Sequence, residues 1–239
     1  MGDLRPVGRQ LTALRFRLVV FDLDGTLVDS ERDIADADNA TLESYGLGPL
    51  PGDEVGRMVG EGAAKLVVRI FQRAGVPRPE RALERFLSLY SQRLTVHTRP
   101  YPGILEALQG LSGRASLAVL TNKPLEISRQ ILDGLGLGRF FPSDRVVGGD
   151  GPFARKPDPS GLQHLIALAS ATAETTLLVG DSVIDWKTAR AAGTSVCLAR
   201  YGFGFVGFPV GELTGAEALI DSPEAVVDLV LPPLRKGSS

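Results

Sequence analysis

The sequence predicts an α/β fold, a doubly wound, mostly parallel Rossmann-like sheet with an inserted helical cap domain. Three observations support this prediction. Short β-branched runs alternate with helical patterns along most of the chain. Residues 31–98 break that alternation and show helical patterns alone. The first apolar run ends in two aspartates, Asp22 and Asp24, and the carboxyl end of a strand in an open α/β sheet is where ligands bind.

The predicted strands are apolar runs that are each followed by turn residues. They are Leu18–Phe21, Leu117–Leu120, Arg145–Val147, Thr176–Val179 and Ser195–Leu198. The predicted helices that follow them are Leu125–Leu135, Ser160–Ala169 and Ile184–Ala192. Pro124 lies near the start of the first of these helices and Gly136 just past its end, as helix termini prefer. Strands that alternate with helices imply βαβ units and therefore a parallel sheet.

The insertion is predicted to be helical because apolar residues recur in it at three- and four-residue spacing. Its predicted helices are Asp33–Tyr45, Asp53–Val59, Ala63–Ala74 and Glu80–Val96. A stiff turn, Arg99 to Gly103, closes the block. We therefore expect a catalytic core of residues 1–30 plus 99–239 and a cap of residues 31–98. A cap above the rim of the sheet could act as a lid that excludes water; the alternative is a packing appendage without a gating role.

Composition narrows the class of protein. The chain has 239 residues, is 44% hydrophobic and carries a formal net charge of −2. No basic stripe predicts binding to nucleic acid, and no segment predicts contact with a membrane. The single cysteine, Cys197, cannot form an internal disulfide, which favours a reducing compartment and a cytoplasmic location. The first dozen residues and the last four are expected to be loose tails, and the oligomeric state is expected to be a monomer or a homodimer.

The segment from Asp22 to Ser30 is the most informative stretch of the chain. Two carboxylates at the end of a buried strand, beside a glycine that frees the backbone, suit a cation and a reacting group. Ser30 is positioned to cap the next helix. The alternative interpretation is an acidic turn between a strand and a helix, because Asp and Ser are ordinary turn residues.

Two further strands are followed by groups that bind anions. Thr121 and Asn122 follow the second strand, where a hydroxyl, an amide and a helix N-terminus can bind phosphate oxygens; helix capping is the alternative. Lys156 follows the third strand and precedes a rigid proline. It could offer a fixed positive charge, or it could be a solvated surface lysine.

The fourth strand is followed by Asp181, and Asp185 lies four residues further on. The two carboxylates face the same way if the helix begins early, although acids there could simply complement the helix dipole. Taken together, the strand ends place four acids, a lysine and a hydroxyl around one rim. Oxygen ligands in that number are typical of a Mg²⁺ site that also binds a substrate phosphate.

These motifs resemble those of the haloacid dehalogenase superfamily of phosphatases. The matching motifs, in order, are Asp22-Leu23-Asp24-Gly25-Thr26, Thr121-Asn122, Lys156-Pro157, and Gly180-Asp181-Ser182 with Asp185. The helical insertion between the first two motifs resembles the four-helix cap of one subclass. With that insertion, the resemblance covers nearly all of the chain.

The resemblance implies a two-step phosphoryl transfer. Asp22 would attack phosphorus and form an aspartyl-phosphate, and Asp24 would act as the general acid and then the general base. Mg²⁺ would be held by the Asp22 carboxylate, the Asp24 backbone carbonyl and Asp181, while Asp185 would orient water on the metal or be a second ligand. The phosphoryl oxygens would be bound by Thr121, Asn122 and Lys156.

A closer resemblance is to phosphoglycolate phosphatases. It rests on the cap segment Val59 to Ala63, on Thr121 to Pro124, on Gly148 to Asp150, and on Tyr201-Gly202. Gly151 departs from the family pattern, which often has another acid there. Within the cap segment, Gly60 and Gly62 would let the backbone approach the substrate, or they could form a simple turn between helices.

A phosphoglycolate-like substrate also carries a second anionic end, which a cation from the cap or the rim should meet. The candidates are Arg57, Lys65, Arg69, Lys123 and Arg155.

Two other functions remain open at this stage. A sugar phosphomutase shares the core and would move phosphate between two positions of a sugar with a bisphosphate primer. A phospho-accepting signalling module also places Asp, Thr or Ser, and Lys around a parallel sheet, but such modules are shorter and have no helical insertion. For a phosphatase, the expected partner is a small phosphorylated metabolite.

Overall fold

The computed structural model describes residues 15–231, and the two predicted tails lie outside them. Its centre is a six-stranded sheet. The strands are β1 (Leu18–Phe21), β4 (Ser116–Leu120), β5 (Val146–Val147), β6 (Thr176–Gly180), β7 (Ser195–Ala199) and β8 (Ala218–Ile220). They are ordered β5-β4-β1-β6-β7-β8, and every neighbouring pair is parallel. The predicted fold class is confirmed.

All five predicted strands are present, with ends that differ by at most one residue. Strand β8, at the edge of the sheet, is not predicted from the sequence. Only three residues form this strand, and Leu219 within it is exposed. A run that short has no alternation that would distinguish it from a loop.

The core helices pack on the two faces of the sheet. They are α5 (Ile104–Leu111), α6 (Leu125–Gly134), α7 (Ser160–Leu168), α8 (Val183–Ala192) and α9 (Ala225–Val230). Of these, α6, α7 and α8 match their predictions within one residue at each end. Two core helices are not predicted from the sequence: α5, which contains Gly110, and the six-residue α9.

The insertion folds into helices α1 (Glu31–Ser44), α2 (Gly52–Gly56), α3 (Ala63–Arg73) and α4 (Ala82–Tyr90). Two predicted bounds are wrong, because α2 ends before Val59 and α4 ends well before Val96. Leu94 is buried although it lies outside α4, so the apolar spacing continues beyond the helix. No helix within residues 15–231 is long and apolar enough to cross a membrane.

The two chain crossings between insertion and sheet are tied together. Strand β2 (Val28–Asp29) leads into α1 and pairs in antiparallel fashion with β3 (Arg99–Pro100), which leads back. The predicted stiff turn therefore begins as a short strand. Beside this ladder, the Asp33 carboxylate accepts hydrogen bonds from the backbone N–H groups of His97 and Thr98, at 2.9 and 2.7 Å. The connection between the insertion and the sheet is thus a defined structure rather than a pair of free linkers.

Alternating side chains of β1 bury both faces of the sheet, as the pleat of a strand requires. Leu18 and Val20 belong to a buried cluster with Trp186 of α8. Val19 and Phe21 belong to the opposite cluster, which continues into the insertion. A strand buried on both faces reads as a continuous apolar run, which is why β1 stands out in the sequence.

Strand register determines where the polar strand ends lie. Phe21 of β1 is aligned with Val119 of β4 on one side and with Val179 of β6 on the other. Because the strands are parallel, the residues that follow them emerge at the same rim. The insertion leaves and returns at this rim, next to the first motif.

Asp38 of α1 is an unusual member of the buried face of that helix. It has no solvent exposure, and neither carboxylate oxygen has a hydrogen-bond partner among the described residues. Burial raises the pKa of Asp38 well above its ordinary value. Burial therefore favours the neutral form of this carboxyl in the folded protein.

We predict that Asp38→Asn stabilises the protein most at alkaline pH. The unfolded chain releases the Asp38 proton above about pH 4 whereas the folded protein retains it, so wild-type stability falls as pH rises. Asparagine removes that loss and should raise the free energy of unfolding at pH 8 by about 1–3 kcal/mol. Urea unfolding from pH 4 to pH 8 measures this, with the exposed Glu43→Gln on the same helix as control. A gain that does not depend on pH would contradict the prediction.

Candidate active site

Three buried carboxylates converge at the rim of the sheet. Asp22 follows β1, Asp181 follows β6, and Asp185 lies in the first turn of α8. One oxygen of each lies within 4.8 Å of the others. The structure thus brings together three of the four acids that the sequence predicts as metal ligands.

Lys156 lies between two of these acids. Its Nζ is 2.8 Å from Asp22 Oδ1 and 2.6 Å from Asp185 Oδ1, and its side chain is 2% exposed. Burial alone would lower the pKa of Lys156, but the two carboxylates raise it above its ordinary value. The alternative of a solvated surface lysine is therefore wrong.

The acid cluster has more negative charge than Lys156 can offset. Burial, opposed by Lys156 and reinforced by Asp185, raises the pKa of Asp22 to about 7. Burial and the neighbouring acids also raise the pKa of Asp181 well above its usual range. With all three acids ionised, the cluster beside one ammonium would carry an excess of two negative charges, a state that burial opposes. A divalent cation with oxygen ligands would match both the charge and the donor set.

Glycines make room for the Asp181 carboxylate. The backbone N–H of Gly204 donates to Asp181 Oδ2 at 2.7 Å. A side chain at Gly25 or Gly202 would collide with Asp181 itself. The Tyr201-Gly202 pair from the sequence analysis thus packs against the first motif, and the Tyr201 hydroxyl donates to the backbone carbonyl of Thr26 at 3.1 Å.

Asp185 also has a structural role at the start of α8, as the alternative interpretation of its position predicts. Its Oδ2 accepts hydrogen bonds from the backbone N–H and the hydroxyl of Ser182, while Ser182 Oγ accepts from the Asp185 N–H. This capping box starts α8. With Oδ1 on Lys156, both carboxylate oxygens are engaged, so the geometry suits a residue that positions Lys156. Ser182 could have been found from its spacing of three residues to an acid.

Asp24 faces a different set of partners from Asp22. Ser30 Oγ donates to Asp24 Oδ1 at 2.5 Å, and Lys123 Nζ lies 2.8 Å from both carboxylate oxygens. Ser30 does precede α1, but its side chain makes no capping hydrogen bond. Its predicted role as a helix cap is therefore wrong, because the hydroxyl binds Asp24 instead.

Thr121 and Asn122 both border the site, but they are engaged differently. Thr121 is buried beside the acids, and its Oγ1 accepts from the Lys123 N–H at 3.2 Å. Asn122 Nδ2 donates to the carbonyl of Gly60 in the insertion at 2.9 Å and to the carbonyl of Lys156 at 3.0 Å. Both amide hydrogens are thereby used, so the side chain joins the insertion to the core.

The cap segment around Gly60 and Gly62 reaches this part of the rim. Both glycines have positive φ, +117° and +89°, and both line the cavity described below. They also lie in the connection from α2 to α3, as a turn between helices would require. The two interpretations offered for these glycines are therefore compatible.

The Gly148 to Asp150 motif packs against the backbone of the loop that follows β4 at the same rim. A side chain at Gly148 would collide with the backbone of Leu125, and one at Gly149 with the backbone of Asn122. Asp150 Oδ1 accepts from the Leu125 N–H at 2.7 Å at the start of α6. These residues hold the loop that carries Thr121 and Asn122.

A cavity of about 60 Å³ lies between the insertion and the rim. Its floor includes Asp22, Asp24, Thr121 and Asp181. The insertion contributes mainly apolar side chains to it, namely Ile34, Val59, Ala63, Leu66, Phe86, Leu87 and Tyr90.

Fold and site together define a class of protein. A doubly wound sheet with a buried acid cluster at its carboxyl rim and a helical insertion after the first strand is the architecture of a Rossmann-like phosphohydrolase. The described site residues are oxygen and nitrogen groups suited to phosphoryl chemistry.

Comparison with known proteins identifies the family. The haloacid dehalogenase-like hydrolase family matches residues 19–199. A phosphoglycolate phosphatase of Rhodospirillum rubrum is 43% identical over 214 residues, 86% of this chain and 87% of that protein. One from Caulobacter vibrioides is 37% identical over 221 residues, 89% and 91% of the two chains. A Haemophilus somnus structure described as a predicted phosphoglycolate phosphatase has a TM-score of 0.80 at 27% identity, covering 90% and 98% of the two chains. This chain belongs to the haloacid dehalogenase-like hydrolases, as its motifs predict.

We predict that Asp181→Asn stabilises the metal-free protein. Removing one of three buried like charges reduces repulsion and desolvation, and should raise the free energy of unfolding by about 1–3 kcal/mol in EDTA. Saturating MgCl₂ should reverse the order, because a ligand at a hundred times its Kd stabilises the wild type by about 2.7 kcal/mol. Thermal unfolding in both buffers tests this, with the exposed Asp144→Asn as control. A destabilised variant in EDTA would contradict it.

We also predict that Asn122→Ala loosens the cap segment. Loss of the hydrogen bond to Gly60 should speed amide hydrogen exchange in residues 59–62 by about 2- to 10-fold, as expected for one hydrogen bond of ordinary strength. Exchange measured by mass spectrometry tests this. The exposed Gln130→Ala removes an amide that is hydrogen-bonded to Glu126 of the same helix and serves as the control. Unchanged exchange in residues 59–62 would show that this contact does not hold the cap.

Proposed function

We propose that this protein is a Mg²⁺-dependent phosphatase that hydrolyses 2-phosphoglycolate through an aspartyl-phosphate on Asp22. The named activity of the relatives at 43% and 37% identity supports the substrate. The size of the cavity, about 60 Å³, also favours a small ester. The single cysteine, which is buried, fits a reducing compartment, and we propose a cytoplasmic location on that ground.

The observation that carries the proposal is the contrast between Asp22 and Asp24. Both line the same cavity, but they have different partners. Asp22 lies among the acids and Lys156, where phosphorus would sit. Asp24 lies towards Ser30 and Lys123, outside that cluster. Two carboxylates in different environments are suited to two different tasks in one reaction.

In the first step, an Asp22 carboxylate oxygen attacks phosphorus while the bond from phosphorus to the leaving oxygen breaks. Asp24 supplies the proton that the departing alkoxide takes up. Lys156 stays charged beside Asp22 and offsets part of the charge that develops on the phosphoryl group, and the Thr121 hydroxyl binds the phosphoryl oxygens. Asp185 positions Lys156 for this role.

In the second step, water attacks the phosphoryl group on Asp22. Asp24, now a carboxylate, takes the proton from that water, and the bond from phosphorus to Asp22 breaks. Inorganic phosphate leaves and Asp22 is regenerated. The two half-reactions use the same pair of acids in reversed roles.

The acid cluster fits Mg²⁺ because its excess negative charge needs a compensating divalent ion. The Asp22 carboxylate, the Asp24 backbone carbonyl and Asp181 would hold the ion, with Asp185 close by. Bound there, Mg²⁺ would offset the repulsion between the substrate phosphate and the carboxylates.

We further propose that residues 31–98 act as a cap on a core of residues 1–30 plus 99–239. The insertion covers the acids with apolar side chains, and Asn122 links it to the core. Exclusion of water would protect the aspartyl-phosphate from premature contact with bulk solvent.

Phosphate release distinguishes the proposed hydrolase from a sugar phosphomutase. With Mg²⁺ present, 2-phosphoglycolate should have the highest kcat/KM in a panel that includes sugar and nucleoside phosphates. Another ester favoured by about tenfold would reject the substrate. Conversion of a sugar 1-phosphate to the 6-phosphate without release of phosphate would instead favour the mutase.

We predict that Asp22→Asn remains folded but loses at least about 10³-fold in kcat, because an amide cannot act as the nucleophile. Circular dichroism checks the fold and a phosphate assay checks the turnover. EDTA should abolish wild-type activity, and added Mg²⁺ should restore it. Near-normal turnover by the variant would rule out Asp22 as the nucleophile and would leave the aspartyl-phosphate without support.

A further inference from the structure

The cavity provides one place for a second negative charge on the substrate. Of the described residues that line it, Lys123 is the one cation. The charged groups on its floor are otherwise acids, and the insertion contributes no charged side chain. The other polar side chains of the lining, such as Thr121, Asn122 and Ser182, are neutral, so only Lys123 offers a positive charge to an anionic leaving group among the described lining residues.

The other cations predicted for this task are engaged elsewhere or lie away from the cavity. Lys65 and Arg69 both form ion pairs with Glu61. Arg155 Nε donates to the carbonyl of Gly149 at 2.6 Å. Arg57, like these three, does not line the cavity.

Lys123 is held in place by its surroundings. Its Nζ is 2.8 Å from both oxygens of Asp24 and 4.7 Å from the centre of the Tyr90 ring, and its side chain is 7% exposed. An ammonium has three N–H donors, so it can bind a second anion while it keeps contact with Asp24. The low exposure strengthens any ion pair that it forms, since little water competes.

The position of Lys123 beside Asp24 determines which anion it can reach. The leaving oxygen must approach Asp24 to receive a proton, which brings it next to the Lys123 ammonium. A carboxylate on the carbon that bears this oxygen lies close enough to be bound by the same ammonium. A carboxylate further along a chain would instead point into the apolar part of the cavity, towards Phe86 and Leu66.

We propose that Lys123 binds the substrate carboxylate and thereby selects esters whose phosphoryl oxygen and carboxylate share one carbon. This inference rests on the proposed phosphatase function and assigns the substrate class to a residue of the core rather than of the cap. Lys123 is then a specificity-determining residue in addition to a partner of Asp24.

The test compares two substrates that differ only in charge at this end. They are 2-phosphoglycolate and 2-hydroxyethyl phosphate, in which a hydroxymethyl group replaces the carboxylate. We expect wild type to favour the first in kcat/KM, and Lys123→Met to reduce that preference by about 10- to 150-fold, the range for a hydrogen bond to a charged group. Lys123→Arg should keep part of the preference, and the exposed Lys65→Met should keep all of it.

The ratio separates selectivity from general damage to Asp24, which would slow both substrates equally. An unchanged ratio in Lys123→Met, with a clear preference in wild type, would overturn the proposal and leave the phosphatase function intact. No preference in wild type would overturn both the carboxylate subsite and 2-phosphoglycolate as substrate. Phosphate release from neither substrate would overturn the proposed function itself.

A binding experiment covers the case in which Lys123→Met has no measurable turnover. Calorimetry with Mg²⁺ compares 3-phosphonopropionate, which carries the carboxylate, with propylphosphonate, which does not. Lys123→Met should weaken binding of the first by about 10- to 150-fold more than binding of the second. Equal weakening of both ligands would overturn the proposal.

Discussion

Mutual repulsion among Asp22, Asp181 and Asp185 is the constraint on which the rest of the site depends. Three buried carboxylates cannot approach one another in a flexible chain, because each would move away or take up a proton. Here two of them follow adjacent parallel strands whose backbones are hydrogen-bonded along their length. The third lies in the first turn of a helix that begins three residues after the second strand ends. The sheet therefore holds the charges together, and Lys156 offsets part of the cost.

Much of the fold and of the site could be predicted because it depends on residues that are close together in the sequence. Strand β1 is an apolar run buried on both faces. Two aspartates, Asp22 and Asp24, and Gly25 follow it closely, a combination that turns without a chemical role seldom contain. Parallel strands then bring their ends to one rim, so Asp22, Thr121 and Asp181 could be expected to meet without any knowledge of distances. The capping box from Ser182 to Asp185 is equally local and could have been added.

What escaped prediction depends on contacts between distant parts of the chain. Nothing near Asn122 in the sequence indicates that its amide binds the carbonyl of Gly60, because a backbone acceptor has no residue type to recognise it by. The hydrogen bond from the Gly204 N–H to Asp181 could not be predicted from the sequence for the same reason. Ser30 had two suitable partners, the N–H groups at the start of α1, from which its Oγ would accept, and the Asp24 carboxylate, to which it donates; the hydrogen bond to the charged group formed. Lys123 was one of five candidate cations, and only the folded cavity distinguishes it from the others.

The glycines around Asp181 have a consequence for how this protein tolerates change. The Asp181 carboxylate occupies the space that a side-chain methyl group would need at Gly25 or Gly202. The positions that tolerate no added side-chain volume therefore include residues that carry no reactive atom. In a saturation scan that records only activity, these two positions would be as intolerant as the acids themselves. Protein abundance measured alongside should fall as well, because a side chain at Gly202 also collides with the backbone carbonyl of Gly25, and Gly25 has a positive φ that strains any other residue. A position that tolerates no substitution can therefore be one that leaves room for a catalytic group without taking part in the reaction. A map of such positions describes the shape of the space around the acid cluster rather than its chemistry.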